Sequence, residues 1–411
     1  MKKNLASVFL AVAMGTALCA CGGSSKSASG STEAAQSSTS AGSSAAAQSG
    51  TSAGSSAAAD SSASAGETVD TSAIPQFADG WGDANTPFDP LTFDDAITFE
   101  EMRKQCGSIP VSGASFLIEG NIRTEDNVYW TSLRDGYKAM IQTMNDNGLT
   151  GIRIDVQSAL NEADTEGQLS VMKDQIRSGA NVIMISPIST SNCTEGVETA
   201  HTDNIPCIAV NNEFNGADMF VGPNSYEEGV QAGEWAVGNV KSGKAAIIMG
   251  LAGTDVVKNR TNGFIDATKD SEIEIVDQQN ADWDRNKAKD VCATFLKTYD
   301  DLKVIFCNND VMALGAVEAV KEAGLTLGKD IFIIGADGTD EAYQSIKNGE
   351  LSATISMFPY YEGMMASEVT TRVMLGQTMP KVIWTPSLAV DAGNIGKDDA
   401  ELTNWADPEF E

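Results

Sequence analysis

The chain has 411 residues, with 27 Lys plus Arg against 57 Asp plus Glu and a formal net charge of −30. Such a surface repels phosphate backbones and argues against nucleic acid as a partner. One histidine, His201, and seven cysteines without a CxxC pair leave no metal-ligand spacing, so no metal or cofactor is expected.

Met1-Lys2-Lys3-Asn4 is a short basic start, and the apolar run 5–17 that follows is too short to span a bilayer. Residues 1–21 therefore read as a secretory signal. It ends in Leu18-Cys19-Ala20-Cys21-Gly22, which resembles the lipobox of bacterial lipoproteins, so Cys21 is expected to carry a diacylglycerol as the only membrane anchor. Bulky Leu18 before the cut makes Cys19 the poorer candidate. Residues 22–71 are almost only Ser, Ala, Gly and Thr and bury too little apolar surface to fold. A tether of that length reaches roughly 40 Å, which suits a Gram-positive surface lipoprotein. Residues 72–106 are acidic with scattered aromatics (Phe77, Trp81, Phe88, Phe93) and are expected to pack outside the domain. Of the other five cysteines, Cys207 and Cys307 sit in apolar runs as small core residues, and a bridge such as Cys193 to Cys207 stays open.

From residue 107 onward, β and α patterns alternate. Strands are predicted over 113–118, 151–156, 181–186, 206–210, 245–250, 274–277, 303–306, 331–335 and 353–356. Helices are predicted over 130–146, 166–179, 193–202, 226–240, 256–270, 286–298, 311–323, 341–348 and 363–375. Strands apolar on both faces mean parallel sheets covered by helices. They are too many for one sheet, so the fold class is α/β with two sheets of similar size.

Ligands in such sheets bind beyond the carboxyl ends of the strands. Residues there are Asn127, Tyr129 and Trp130; Asn211 and Asn212; Arg260, one turn into a helix; Trp283; Asn308, Asn309 and Asp310; Asp337; and Met357. Aromatic rings match the C–H faces of a carbohydrate, while Asn, Asp and Arg match its hydroxyl rim. Each has a duller role: Asn309 or Asp310 as a helix cap, Arg260 as a solvated helix residue, Asp337 as a turn residue, the tryptophans as packing. Recurrence at strand ends favours a site, and Arg260 and Asp337 are expected to bind without carrying the fold.

Over about 108–395 the chain resembles the type I periplasmic sugar-binding proteins of ABC importers, the ribose and galactose/glucose group. The matching stretches are WTSLRDG at 130–136, ANVIMISP at 180–187, NIPCIAVNNE at 204–213, FVGPNSYEEG at 220–229, AGTDVVKNRTNGF at 252–264, ADWDRNKAKD at 281–290, FCNNDVMALGAVEA at 306–319, GADGTDEA at 335–342 and LSATISMFP at 351–359. The resemblance implies two Rossmann-like lobes, 107–219 plus 358–387 and 220–357 plus 388–411, joined by a three-stranded hinge. It implies Tyr129 and Trp283 as aromatics around a sugar, with Asn127, Asn211, Arg260, Asn309 and Asp337 as polar ligands. Asn309 would face the ligand, leaving Asp310 or Asn308 to the helix start. Asn211-Asn212 replaces an Asp-Arg pair of ribose-type proteins and Met357 replaces an amide, which leans toward a neutral hexose with a pentose next. Implied partners are a monosaccharide and permease subunits, with the binding protein a monomer. The rival readings are a sensor presenting sugar to a membrane receptor, an enzyme using Asp310 and Asp337, and a repressor. The enzyme lacks GxSxG and P-loop motifs, and the repressor lacks a DNA-binding helix pair.

Overall fold

The computed structural model describes residues 83–411; the expected signal, Cys21 and the 22–71 tether lie outside them. The β-branched, two-sided apolar runs pair into two sheets. The first holds β1 (Ile97–Thr98), β2 (Ser115–Ile122), β3 (Gly151–Ser158), β4 (Val182–Ile185), β5 (Cys207–Val210), β6 (Met219–Gly222) and β12 (Val382–Trp384), in the order β1-β12-β6-β5-β4-β2-β3. The second holds β7 (Ser242–Met249), β8 (Glu272–Asn280), β9 (Leu302–Cys307), β10 (Phe332–Asp337), β11 (Ala353–Ser356) and β13 (Leu388–Asp391), in the order β13-β11-β10-β9-β7-β8. Every pairing is parallel except β11 with β13. In each sheet the founding strand lies between its two successors, β2 between β3 and β4 and β7 between β8 and β9. That arrangement opens a crevice at the carboxyl ends of the strands.

Helices cover both sheets: α1 (Phe99–Cys106), α2 (Val128–Asp146), α3 (Thr165–Arg177), α4 (Thr194–Thr202), α5 (Ser225–Asn239), α6 (Asp255–Thr268), α7 (Arg285–Thr298), α8 (Asp310–Glu322), α9 (Asp340–Lys347), α10 (Pro359–Met374) and α11 (Asp399–Leu402). Two helix pairs pack backbone to backbone through reciprocal glycines. A Cβ on Gly136 of α2 would stand 1.9 Å from Tyr360 O, and one on Gly363 of α10 would stand 2.1 Å from Leu133 O. The same device joins α5 and α6, where a Cβ on Gly229 would meet Arg260 O at 2.1 Å and one on Gly263 would meet Tyr226 O at 2.1 Å. These contacts set how far α2 and α6, which carry site residues, stand from their partners.

Several expectations shift. Strand β6 pairs with β5 and β12, so residues 220–222 lie in the first sheet rather than the second, and the chain passes between sheets at 223–224, 357–358 and 385–387. Residues 97–106 are not an outer wrapping: β1 extends the first sheet and α1 packs beside it. The tail also returns to the first sheet's side, where Ile109 bridges Phe410, the Phe99 and Trp405 rings stack at 6.1 Å, and the Arg103 guanidinium lies beside them at 4.7 and 4.5 Å. Helix α10 begins at Pro359, earlier than the predicted 363, because proline's fixed φ suits a first helical position. Cys106, Cys193, Cys207, Cys292 and Cys307 are all free thiols. No helix of the described residues is long and apolar enough to cross a membrane.

Candidate functional site

Between the strand ends of the two sheets lies a narrow cleft whose atom-free space, including the part open to solvent, is about 350 Å³. It is lined by Arg123, Asn127, Tyr129, Trp130, Glu162, Asn211, Asn212, Val256, Arg260, Trp283, Asn309 and Asp337. Nine of the ten expected residues are thus brought together. The exception is Met357, which lies beneath the cavity with Sδ 2.9 Å from Arg260 Nη2 and 4.0 Å from Tyr129 Oη.

The first sheet supplies one wall. Asn127 caps α2 through Tyr129 N–H at 3.0 Å and donates Nδ2 to Glu162 at 2.7 Å. Trp130 Nε1 donates to the same Glu162 oxygen at 2.9 Å, and the Arg123 guanidinium sits 5.0 Å from the Trp130 ring centre. Arg123 also donates to Pro187 O at 2.7 Å and to Asn212 Oδ1 at 2.7 Å. Tyr129 Oη is hydrogen-bonded to Glu362 and accepts from Asn211 Nδ2 at 2.6 Å. Asn211 holds φ at +68°, a left-handed conformation that asparagine tolerates better than most residues.

The second sheet supplies the other wall. Arg260 is buried, with Nε 2.5 Å from the buried Glu228 carboxylate, Nη1 2.6 Å from Asn308 O and 3.9 Å from Asp337 Oδ1. Burial alone would lower its pKa, but Glu228 and Asp337 raise it, so the guanidinium stays charged. Asp337 stands at φ +136°, and burial and the neighbouring Asp310 push its pKa well above the usual carboxylate range. Trp283 follows Asp282, at φ +64° and +51°. Its ring lies over Gly250, where a Cβ would stand 2.2 Å from the indole, and its buried Nε1 finds no partner. Strained backbone at Asn211, Asp282, Trp283 and Asp337 clusters around one cavity, a concentration that structures keep at functional sites.

The three polar residues after β9 divide their work differently from expectation. Asn309 both lines the cavity and caps α8, accepting from Met312 N–H at 3.0 Å. Asp310 does not cap: it clamps the loop after β10, accepting from Gly338 N, Thr339 N and Thr354 Oγ1 at 2.9, 2.9 and 2.7 Å. Asn308 Oδ1 accepts from Gly250 N at 3.3 Å, holding β9 to the end of β7. Arg260 is not a solvated helix residue, since its pairing with Glu228 makes it part of the fold as well as of the cavity.

Arg123, Glu162 and Val256 were missed. The strand predicted over 113–118 runs on to Ile122, because Glu119 and Asn121, polar in sequence, are buried and bonded to Ser178, Gln168 and Gln175. Arg123 is therefore a strand tip. Away from the cleft, His201, Cys207 and Asp218 gather within the first sheet's core. There Asp218 Oδ2 accepts from Cys207 N–H at 2.8 Å and lies 3.0 Å from His201 Nε2, tying β5 to α4.

Two α/β units with strand tips facing one polar cleft define a cleft-type solute-binding protein. The model for "Periplasmic binding protein domain" matches residues 121–378, and the chain belongs to that family, with type I architecture. The ribose import binding protein RbsB of Bacillus subtilis (strain 168) is 30% identical over 66% of this chain and 86% of its own length. The D-allose-binding periplasmic protein of Escherichia coli (strain K12) is 29% identical over 58% and 78%. An ABC transporter periplasmic solute binding protein from Actinobacillus succinogenes 130z with bound D-allose superposes with a TM-score of 0.64 at 26% identity, over 69% of this chain and 99% of that one. These relatives are named as binding proteins, one for ribose import and one of an ABC transporter, and not as enzymes.

Proposed function

We propose that the protein captures a neutral monosaccharide outside the cytoplasm and delivers it to an ABC importer, with a hexose favoured and a pentose such as ribose or xylose next. The observation that carries this reading is the lining of the cavity. Tyr129, Trp130 and Trp283 offer faces for C–H surfaces, while Asn127, Asn211, Asn212, Arg123, Arg260, Asn309 and Asp337 offer donors and acceptors in a buried setting. The unpartnered Trp283 indole N–H suits a ligand hydroxyl. Arg123 faces Glu162 and Arg260 is paired with Glu228 behind the lining, so each cation already has a partner, which suits an uncharged polyol. The names of the relatives, ribose and D-allose, support the sugar class.

Capture proceeds by hinge closure about the three crossings, with each lobe built on one sheet. The sugar bonds both walls, and the closed form docks on the permease as a monomer. A lipid on Cys21, reached through the 22–71 tether, holds it at the membrane of a Gram-positive surface. A calorimetric and thermal-shift panel of D-allose, D-galactose, D-glucose, D-ribose and D-xylose tests the reading. Micromolar binding of a hexose is expected; binding by none of them overturns it. Mass spectrometry of the mature N-terminus checks the lipid, which should be absent from Cys21→Ser.

A further inference from the structure

Beneath the cavity, where the chain passes from β11 into α10, Glu362 lies fully buried between the two walls. Its Oε2 makes a hydrogen bond with the Tyr129 hydroxyl, the one bonded group able to take the proton of a neutral carboxyl, and its two oxygens lie 3.1 and 3.3 Å from Asn211 Nδ2, which donates. Asn211 Nδ2 also donates to Tyr129 Oη. The amide hydrogens of Asn211 are thus committed downward, so its carbonyl oxygen is the atom left for the cavity. No cation touches Glu362: the nearest, Arg260, is bound to Glu228 and Asn308 O. The groups that face it are Tyr129 and Tyr137 from α2, Asn211 from the tip of β5, Glu228 from α5 and Arg260 from α6. Both of its bonded partners are neutral, and one of the charged groups facing it is a second buried carboxylate.

We propose that Glu362 is a positioning residue of the cleft, holding Tyr129 and Asn211 from below as a neutral acid and thereby making ligand affinity depend on pH. An ionised carboxylate in that place would be held more strongly by Tyr129 and Asn211, but with no cation beside it its uncompensated charge would draw water under the floor. Burial first, and Glu228 after it, push the Glu362 pKa up to about 8, against hydrogen bonds from Tyr129 and Asn211 that lower it. The sign follows from linkage. A carboxyl that binds its proton more tightly in the closed protein favours closing on the acid side. That advantage is lost as pH rises from the ordinary glutamate range toward 8, and the curve is level above it. Because Asn211 presents only an acceptor, the ligand group at this point is a donor, a hydroxyl.

The affinity arm rests on the sugar reading above; a stability arm does not. Wild-type protein and Glu362→Gln are unfolded without ligand from pH 5 to 9.5, and binding of D-allose, D-galactose, D-glucose and D-ribose is measured at both ends. Glu213 and Asp310, which do not face Glu362, are common to both proteins and cancel in the difference, whereas Glu228 faces Glu362 and shares in its effect. The expected result is equal Tm at pH 5 and a growing advantage of Glu362→Gln up to about pH 8. The sugar Kd of wild type should rise about tenfold over that span, one pH unit of linkage, while the variant stays flat. Parallel Tm curves overturn the proposal whatever the sugars do. Diverging Tm curves with no sugar bound uphold the neutral Glu362 and sink the sugar reading instead. Should Glu362→Gln fail to fold, the infrared spectrum of ¹³C-glutamate-labelled wild type decides. A protonated glutamate band that persists at pH 7, is lost by pH 9.5 and disappears in Glu362→Asp supports the proposal; no such band at pH 7, or one unchanged in Glu362→Asp, overturns it.

Discussion

Two asparagines end two buried strands on opposite walls of the cleft, Asn211 after β5 and Asn309 after β9, and they are held by different means. Asn309 is fixed locally: its oxygen caps the helix that starts at the next residue, and its amide hydrogens remain for the cavity. Asn211 is fixed from a distance, by Tyr129 of α2 and Glu362 of α10, which are 82 and 151 residues away in the chain. Both walls carry a charge pair, Arg123 with Glu162 and Arg260 with buried Glu228, but Asn211 itself is anchored on a tyrosine hydroxyl and an acid with no cation beside it. Position at a strand tip thus fixes where a side chain points, and the packing partner fixes which of its atoms meets the ligand.

The largest test of that contrast is Arg260→Ala, which strands Glu228 in the core. Unfolding should cost about 3–5 kcal/mol of stability together with loss of sugar binding. Arg260→Met combined with Glu228→Gln should recover most of the Tm and none of the binding; recovery of binding would remove Arg260 from the ligand. Gly250→Ala is expected to come next. Its methyl meets the Trp283 ring, so overpacking of about 1–3 kcal/mol should accompany weaker binding and an altered Trp283 fluorescence response. The smallest effect on stability separates the two duties of Asn309. Asn309→Ala should lose the cap, about 1 kcal/mol, and also affinity. Asn309→Asp keeps the cap and loses the amide donors, so stability should hold while sugar affinity falls by about tenfold, equivalent to one hydrogen bond. Equal affinity for Asn309→Asp and wild type would confine Asn309 to capping.

Much of the cleft was legible because strand tips are legible. Apolar runs ending in Asn, Asp or an aromatic mark a crevice in any parallel sheet, and nine of the ten residues chosen that way line one cavity. Reading failed where polar side chains are buried inside regular elements. Glu119 and Asn121 disguised the end of β2 and so hid Arg123, and nothing in the local sequence marks Glu228 and Glu362 as buried. Met357 failed in the opposite way: it sits at a tip, yet its thioether turns under the floor toward Arg260. Strands β1, β6, β12 and β13, of two to four residues, escaped, although β4, β5 and β11, of four residues each, did not.

By itself the sequence determined the α/β alternation, the two sheets, and the residue types gathered at their tips, because hydrophobic period and turn chemistry are local properties. The tertiary structure alone decided which sheet the edge strands join, which carboxylates have a cation and which do not, and which amide atoms face the cavity. Those outcomes depend on groups far apart in the chain meeting where water is excluded, and a buried charge is settled by its neighbours in space, not by its neighbours in sequence.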